Sequence, residues 1–404
     1  MDEVIGISSD QSSLDFLYSQ FQSYYKNASF DLPDRFGRRE FAFVVFGGRG
    51  MIRHTAFDKK HMFMKYLAEK APQHVYYSSA YYQIPDAPTM NDKKWMGAEL
   101  IFDLDSDHLP NATSLTYTQQ LSEVKKEFMK LVEEFLLDDL GFNSKYLDLY
   151  FSGGRGYHCH VKDPVVFDLD SSERREIVDY ITGRDIQDFF IFREQITGRK
   201  QYSGRTYPSG KSLTMPPPTQ KGWKGRISRG IIEIVHDIKQ SNNPVEKLIE
   251  YGVKKKDAEQ LASELSEQRI KRIKEGMLDQ SKTIRKFFLN SALRKTAVSL
   301  GAGETDEPVT CDIKRLIRLP FTLHGKTGFQ VKKIDIDELK TFNPLNDTIV
   351  FSENPVKLQV HRPCSIGMNH QDFTIEEGEQ EVPEFLAVFL IGGKFATIKK
   401  QDTS

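Results

Sequence analysis

The segment ELIFDLDSDHLP (residues 99–110) places two carboxylates, Asp103 and Asp105, two positions apart after an apolar run. On a β-strand both would project from one face, with their Cα atoms roughly 6–7 Å apart. On a helix the same spacing would turn them about 200° apart. The preceding Leu-Ile-Phe favours a strand, and paired carboxylates on one face are typical ligands of Mg²⁺ or Mn²⁺. A strand that simply emerges into solvent here is the alternative explanation.

A glycine-rich segment, SGGRGYHCHV (152–161), is the second place where residue types suggest chemistry. Its glycines permit positive φ angles and close backbone approach, while Ser152, Arg155 and His158 supply a hydroxyl, a guanidinium and an imidazole. Such a turn can hold phosphate groups. Ordinary turn chemistry for the glycines and a structural hydrogen bond for His158 are the alternative, and the role of His160 stays open.

The third candidate segment, TDEPVTCDIKRLIRLPFTLHGKTGF (305–329), mixes acidic and basic side chains. A polyanion with bound metal ions requires this mixture, because carboxylates bind the metal while Arg, His and Lys neutralise phosphate charge. A solvated, charged surface is the alternative for the basic residues. The residues concerned are Asp306, Asp312, Lys314, Arg315, Arg318, His324 and Lys326.

Strand-like and helix-like segments must position these residues. The pattern predicts strands over 39–47, 74–84 and 99–105, a strand–turn–strand unit over 146–161, and helices over 11–30, about 57–71 and about 117–138. Strands that alternate with helices indicate an α/β or mixed α+β layer structure.

The middle of the chain changes character twice. From Gln195 to Ile232 there is no acidic residue, whereas basic residues stand among glycines and prolines. We interpret 196–232 as a basic loop region, either a solvated mobile loop or a surface that contacts a phosphate backbone. Residues 233–300 have the charged, helical pattern of a small bundle and are predicted to be an inserted subdomain, so that 1–195 and 301–404 form the core. The basic residues are Arg199, Lys200, Arg205, Lys211, Lys221, Lys224, Arg226 and Arg229.

The overall composition bounds the class of protein. A chain of 404 residues with 39% hydrophobic and 28% charged residues is expected to be globular, with more than one domain. The net charge of −1 excludes a strongly basic molecule, so any nucleic-acid binding must come from local patches. The first residues do not read as a signal peptide and no segment reads as a membrane span, which predicts an intracellular, cytoplasmic protein. Three widely separated cysteines argue against a disulfide framework.

The order of ELIFDLDSDH, SGGRGYHCHV and RLIRLPFTLHGKTG resembles the catalytic (small) subunit of archaeal and eukaryotic-type DNA primases, most closely its archaeal members. Supporting runs, including HVYYSSAYY and VPEFLAVFLIGG, extend the resemblance over nearly the whole chain. The resemblance implies a primase-polymerase catalytic core with a helical subdomain inserted. It also implies primer synthesis from nucleoside triphosphates on single-stranded DNA, in a heterodimer with a large iron–sulfur subunit.

The resemblance also implies roles for individual residues. Asp103 and Asp105 match the metal-binding acidic pair of the family, and Asp306 matches the third catalytic carboxylate better than Asp312 does. Two divalent ions, Mg²⁺ or Mn²⁺, are implied between these three carboxylates. Arg53 is a further neighbour that the resemblance suggests. The residues that match the nucleotide-phosphate contacts are Ser152, Arg155, His158, Arg315, Arg318, His324 and Lys326.

One departure from the family pattern concerns zinc. Family members commonly carry a cysteine/histidine zinc knuckle shortly after the acidic pair, whereas SDHLPNATSLTYTQQ contains His108 and no cysteine. We therefore expect a short loop here and no structural zinc. The three cysteines, Cys159, Cys311 and Cys364, are too dispersed to bind an iron–sulfur cluster.

Three other functions compete with de novo priming. The nearest is a stand-alone repair or plasmid primase-polymerase of the same superfamily, which would fill gaps without forming a first dinucleotide. Phosphohydrolases of the haloacid-dehalogenase type also use an apolar-D-x-D loop, but the glycine-rich segment fits them poorly. A nucleic-acid-binding scaffold without activity is disfavoured, because every charged position of the motif set is filled.

Overall fold

The structure is a computed structural model that describes residues 11–109, 112–278, 282–297 and 309–399. The described residues form two compact units. Asp306, expected to be the third catalytic carboxylate, lies outside the described residues. Unit 1 takes its described residues from Met1–Val132, Phe142–Val178 and Ser299–Ser404, and unit 2 from Glu133–Gly141 and Asp179–Val298.

The first part of the chain alternates strands and helices. The elements are α1 (Gln11–Asn27), β1 (Phe41–Val44), β2 (Met51–Thr55), α2 (Lys60–Lys70), β3 (His74–Ser78), β4 (Ala80–Tyr82), β5 (Trp95–Ala98), β6 (Leu100–Asp105), α3 (Tyr117–Lys130), β7 (Leu147–Phe151), β8 (Gly156–Val161) and α4 (Ser171–Thr182). A π-helix over Leu131–Asp139 continues α3. These bounds agree with the strands and helices expected before residue 162.

The elements of unit 2 follow, and the chain then returns to unit 1. Unit 2 contains α5 (Asp188–Ile191), β9 (Arg193–Tyr202), β10 (Arg205–Thr214), α6 (Gly222–Gln240), α7 (Pro244–Glu250), α8 (Lys255–Glu264), α9 (Glu267–Lys274), β11 (Met277–Leu278) and α10 (Lys282–Thr296). The return segment contains β12 (Leu316–Arg318), β13 (Lys332–Ile334), α11 (Pro344–Asp347), β14 (Pro355–Val360), β15 (Cys364–Met368), β16 (Gln371–Ile375), β17 (Gly378–Pro383), α12 (Glu384–Gly392) and β18 (Ala396–Ile398).

Two four-stranded antiparallel sheets organise unit 1. One has the order β12-β3-β1-β2, and the other has the order β13-β7-β8-β6. In the second sheet, one face of β7 and β8 carries fully buried apolar side chains, such as Phe151 and Tyr157. Helix α3 covers that face, where Phe128 stacks on Tyr157 with ring centroids 5.3 Å apart. The opposite face of the same strands is therefore left for polar side chains.

The helices of unit 1 form where the local sequence favours them. In α1, the buried residues Leu17, Phe21 and Tyr25 recur every fourth position, which produces a single apolar stripe. Helix α3 begins at a capping box, in which Thr116 and Gln119 satisfy each other's backbone N–H groups. Such caps fix where a helix starts, and here the start of α3 lies shortly after the aspartate pair.

The loop expected over 196–232 is a wrong prediction. This segment holds most of the β9–β10 hairpin and the first half of α6. The hairpin turn is formed by Ser203 and Gly204, both with positive φ (49° and 73°), which is the geometry of a two-residue type I′ turn. The serine–glycine dipeptide signals this turn, but the charged strands around it lack the apolar alternation that predicts strands. The helices expected over 233–300 are present as the rest of α6 and α7–α10.

The described structure is a mixed α/β fold, as expected from the pattern. No helix within the described residues is both long enough and apolar enough to span a membrane. Among the described residues, Cys159, Cys311 and Cys364 form no disulfide bond.

Candidate active site

Asp103 and Asp105 lie at the end of β6, which pairs antiparallel with β8. Asp103 stands opposite His158, and Asp105 stands opposite Gly156. Directly opposed residues share a sheet face, so the two carboxylates and the His158 imidazole project in the same direction. The aspartate side chains stay partly exposed, 22% for Asp103 and 35% for Asp105. The strand geometry expected for this pair is confirmed.

The carboxylate of Asp103 is fixed by its neighbour on β8. The Nε2 atom of His158 lies 3.1 Å from Oδ1 of Asp103. Burial raises the pKa of the Asp103 carboxyl, but His158, Arg315 and Arg318 lower it more, so the pKa stays below its ordinary value. Asp103 is therefore ionised at neutral pH and can bind a hard cation with its carboxylate oxygens.

The glycine-rich turn between β7 and β8 is held by hydrogen bonds. The Ser152 hydroxyl oxygen accepts from the backbone N–H of Gly154 (3.3 Å) and of Gly156 (3.2 Å). The Tyr117 hydroxyl donates to the Gly154 carbonyl (2.7 Å), and the Thr327 hydroxyl donates to the carbonyl of Gly153 (2.5 Å). The turn therefore has a defined shape, which α3 and the segment after β12 both support.

Two of these glycines are required by close packing. A Cβ atom on Gly156 would lie 2.3 Å from the carbonyl oxygen of Leu104 on the paired strand. Gly153 has a φ of +79°, and a Cβ atom there would lie 2.8 Å from the Cβ of His324. No side chain fits these positions without moving backbone, so the turn packs directly against β6 and the His324 segment.

Arg155 lies at the tip of this turn, beside the aspartates. Its Nη2 atom donates to Oδ2 of Asp107 at 2.7 Å, and its Nε lies 3.9 Å from Oδ1 of Asp105. The Arg155 side chain is 43% exposed, so its guanidinium also faces solvent. Exposed ion pairs of this kind are weak and exchange readily for a more highly charged partner.

The other sheet supplies the opposite wall of the site. Strand β12 pairs with β3 so that Arg318 stands opposite Tyr76, and its guanidinium lies 5.1 Å above the Tyr76 ring. The Nη1 atom of Arg318 donates to Nδ1 of His74 at 2.7 Å. An arginine has no acceptor, so His74 must be the neutral acceptor here. Burial, followed by the charges of Arg318 and Lys326, lowers the pKa of His74 to about 3. This low pKa agrees with a neutral imidazole at His74.

His324 is buried with a defined tautomer. The Thr327 hydroxyl already donates to the Gly153 carbonyl, so the 3.2 Å contact between Thr327 Oγ1 and His324 Nδ1 requires an N–H on Nδ1. Burial, and after it the charge of Arg318, holds the pKa of His324 well below its ordinary value. Neutral His324 therefore directs an unprotonated Nε2 towards Gly154, where a Cβ atom added to the glycine would lie 3.0 Å from that nitrogen.

These groups line one cavity of about 720 Å³ within unit 1. Its volume is in the range of small-molecule sites. Four permanent cations and two aspartates face it, which makes a polyphosphate with bound cations a fitting occupant. The residues predicted from sequence that line it are Asp103, Asp105, Ser152, Arg155, His158, Arg315, Arg318, His324 and Lys326.

Other residues named from the sequence lie elsewhere. Asp312 is exposed, accepts from the Lys314 backbone N–H (2.8 Å) and does not line the cavity. His160 is fully buried, with Nδ1 3.0 Å from the Tyr77 hydroxyl and 3.5 Å from a Glu99 oxygen. Arg53 is paired with Glu40. His160 therefore belongs to a buried polar network behind the site.

Sequence reasoning missed His74, Tyr76, Tyr117 and Thr327. They orient Arg318 or hold the glycine-rich turn, although none of them carries a charge that marks it as a candidate. The run HVYYSSAYY indicates only a strand. Nothing local connects β3 to Arg318, because their pairing joins distant parts of the chain.

Two carboxylates beside a cationic cavity and a glycine-rich turn form the arrangement expected of a nucleotidyltransferase. The family model for the DNA primase small subunit matches residues 102–336, which include every sequence-predicted residue lining the cavity. The chain belongs to the DNA primase small subunit family, whose function is primer synthesis.

Similar proteins of archaea support this assignment. The chain is 43% identical over 399 residues to the DNA primase small subunit PriS of Methanosarcina acetivorans, covering 95% of this chain and 96% of the relative. It is 41% identical to PriS of Methanococcoides burtonii, over 93% of this chain and 96% of the relative. PriS of Thermoplasma volcanium is 34% identical, over 92% and 93%.

Proposed function

We propose that this chain synthesises short primers de novo on single-stranded DNA by two-metal nucleotidyl transfer from nucleoside triphosphates. The observation that carries the proposal is the shared face of Asp103 and Asp105, which opens on the same cavity as Arg155, Arg318 and Lys326. Carboxylates for cations and permanent cations for phosphates thus face one space. This is what transfer of a nucleotidyl group from a triphosphate requires.

Primases are in general metal-dependent, and the donors present here fit Mg²⁺ or Mn²⁺. Asp103 and Asp105 would hold the cations together with Asp306. Among the described residues, no group of three carboxylate, imidazole or thiolate side chains forms a metal site, so the third ligand is assigned from the family resemblance alone. When bound, two such cations would make the 3′-hydroxyl more acidic and would neutralise the charge of the pyrophosphate leaving group.

The chain's own residues then position the reactants. His158 holds one oxygen of Asp103 through Nε2, which leaves the other oxygen for a cation. Arg318 is oriented by His74 and Tyr76 before any nucleotide binds, so little of its side-chain entropy remains to be lost. Arg315 and Lys326 are exposed and Arg155 is partly exposed, and these three complete the contacts to the β and γ phosphates.

The buried residues of the cavity add two further functions. The Ser152 hydroxyl accepts two backbone N–H bonds and keeps its own proton for a phosphate oxygen. His324 is neutral in the free protein, with a lone pair on Nε2. To donate to a phosphate oxygen it must take up a proton, and we propose that it does so as the triphosphate binds.

The names of the relatives support a proposal about partners. The relatives are named small subunits, and we propose that this chain likewise pairs with a large, iron–sulfur subunit. We propose that its template is single-stranded DNA and that it acts in the cytoplasm beside the replicating chromosome. We propose no structural zinc in this chain.

An assay on unprimed single-stranded DNA tests the function. The chain is incubated with its template, Mg²⁺ or Mn²⁺, and either ribo- or deoxyribonucleoside triphosphates. Template-dependent product without a primer is expected. Activity confined to filling a gap with a 5′-phosphorylated downstream strand would instead identify a stand-alone repair or plasmid primase-polymerase.

A further inference from the structure

The β9–β10 hairpin of unit 2 presents aromatic and cationic side chains on one face. Opposed residues share a face in an antiparallel ladder, and here Tyr202 stands opposite Arg205 while Lys200 stands opposite Tyr207. Lys200 and Tyr202 are two positions apart on β9, and Arg205 and Tyr207 are two apart on β10, so all four belong to the same face. Each tyrosine thus has a cation directly across the ladder and another along its own strand.

This face is open. Tyr202 is 77% exposed and Tyr207 is 48% exposed. Within the described part of the chain, no side chain forms an ion pair or a hydrogen bond with the ammonium of Lys200 or the guanidinium of Arg205. Large exposed aromatic groups next to unneutralised cations are uncommon on a surface without a partner.

The charge of the surrounding chain selects the class of partner. No acidic residue occurs between Gln195 and Ile232, and Arg199 on the other face of the hairpin adds a further positive charge. Not every cation of this stretch serves a partner, because Arg226 is buried and paired with Glu134 and Asp139. Arg199, Lys200 and Arg205 instead lie together beside the hairpin turn, and this local positive charge suits a polyanion.

Among polyanions, the tyrosines favour a single-stranded nucleic acid. Unpaired bases stack on aromatic side chains irrespective of sequence, and the phosphates between them bind Arg and Lys. A duplex hides its base faces and would leave both rings without a contact. An acidic peptide would use the cations and not the rings.

We propose that the face formed by Lys200, Tyr202, Arg205 and Tyr207 is a binding site for single-stranded nucleic acid. Two bases stack on the tyrosines, while the two cations contact the phosphates of the same strand. That this strand is the template rests on the proposed function, whereas the binding itself does not.

Binding is measured by fluorescence anisotropy of a labelled oligodeoxythymidine with the full chain, without nucleotide or metal. Replacing both rings (Tyr202→Ala with Tyr207→Ala) is expected to weaken binding by roughly tenfold or more. The variant with both tyrosines changed to Phe keeps the stacking surface and should bind like the wild type. Because neither the measurement nor the oligonucleotide depends on catalysis, an inactive chain would still give this result.

The cations are tested through salt dependence. Lys200→Gln with Arg205→Gln should reduce the slope of log affinity against log salt by about 0.7 for each phosphate that is no longer neutralised. Matched controls are Lys65→Gln with Lys126→Gln, two exposed lysines of unit 1, and Phe189→Ala with Phe190→Ala, two exposed aromatic residues of unit 2. The controls should leave affinity and slope unchanged.

Three results would overturn the proposal. The first is wild-type affinity in the double alanine variant with an unchanged thermal unfolding curve. The second is an equal loss in the Phe189 and Phe190 control. The third is tighter binding of duplex DNA than of the single strand.

In the priming assay, the double alanine variant should need about tenfold more template while its rate at saturating template is unchanged.

Discussion

The Nε2 atom of His158 lies 3.1 Å from Oδ1 of Asp103, and the two residues are opposed partners in the ladder between β8 and β6. The glycine-rich turn and the aspartate pair are therefore parts of one piece of sheet. A shift of either strand would separate the imidazole from the carboxylate.

Removing a carboxylate should abolish catalysis and leave the fold intact. Asp103→Ala, Asp105→Ala and Asp306→Ala are each expected to reduce primer synthesis by at least about a thousandfold, equivalent to about 4 kcal/mol of transition-state stabilisation. Product is measured on unprimed single-stranded DNA, and thermal unfolding serves as the check on folding.

Asp312→Ala is the matched control for the third carboxylate. Asp312 is exposed and does not line the cavity, so this variant should keep its activity. Loss of activity in Asp312→Ala, combined with normal activity in Asp306→Ala, would reverse the assignment of the third carboxylate.

Loss of the His158 imidazole should weaken metal binding. His158→Ala frees the Asp103 carboxylate to rotate, so the Mg²⁺ concentration for half-maximal activity is expected to rise by roughly 10- to 100-fold. His158→Gln can place an amide N–H near the same oxygen and should restore part of the loss. If the alanine variant instead shows an unchanged metal requirement and a higher KM for the nucleotide, His158 contacts phosphate and does not position Asp103.

Triphosphate binding should be accompanied by proton uptake at His324. Burial and neighbouring cations lower the pKa of His324 in the free protein, whereas a bound polyanion raises it. Affinity should therefore be highest at low pH and decline as pH rises through the pKa of the bound form. Calorimetry without metal, in two buffers of different ionisation enthalpy, would measure up to about one proton.

His324→Asn is the control for this proton, because it removes the titrating group and keeps a polar side chain. The difference in binding enthalpy between the two buffers should shrink in this variant. The same buffer difference in wild type and variant would show that the proton is bound elsewhere.

A methyl group on Gly156 should disrupt the site through the backbone. The Cβ of Gly156→Ala would lie 2.3 Å from the Leu104 carbonyl oxygen, which requires β8 to move away from β6. Unfolding in urea should show a loss of about 1–3 kcal/mol, together with loss of priming. Gly37→Ala, where the nearest atom would be 4.0 Å away, is the matched control. Equal stability of the two variants would contradict this packing argument.

Several features of the fold could be predicted because their cause is local. The two-residue alternation that places Asp103 and Asp105 on one face depends only on strand geometry, and the strand–turn–strand unit over 146–161 follows from its glycines. The basic hairpin could not be predicted, because its strands lack such a local signal. Its strands face solvent on both sides around Tyr202, so no apolar alternation marks them.

The sequence by itself determined the kinds of groups that the site contains and the family to which the chain belongs. Only the tertiary structure decided which groups meet. Arg318 faces Tyr76 and His74 because β12 pairs with β3, and His324 packs on Gly153 because the glycine-rich turn meets a segment far along the chain. Such contacts arise from the packing of whole sheets, and no short stretch of sequence contains them.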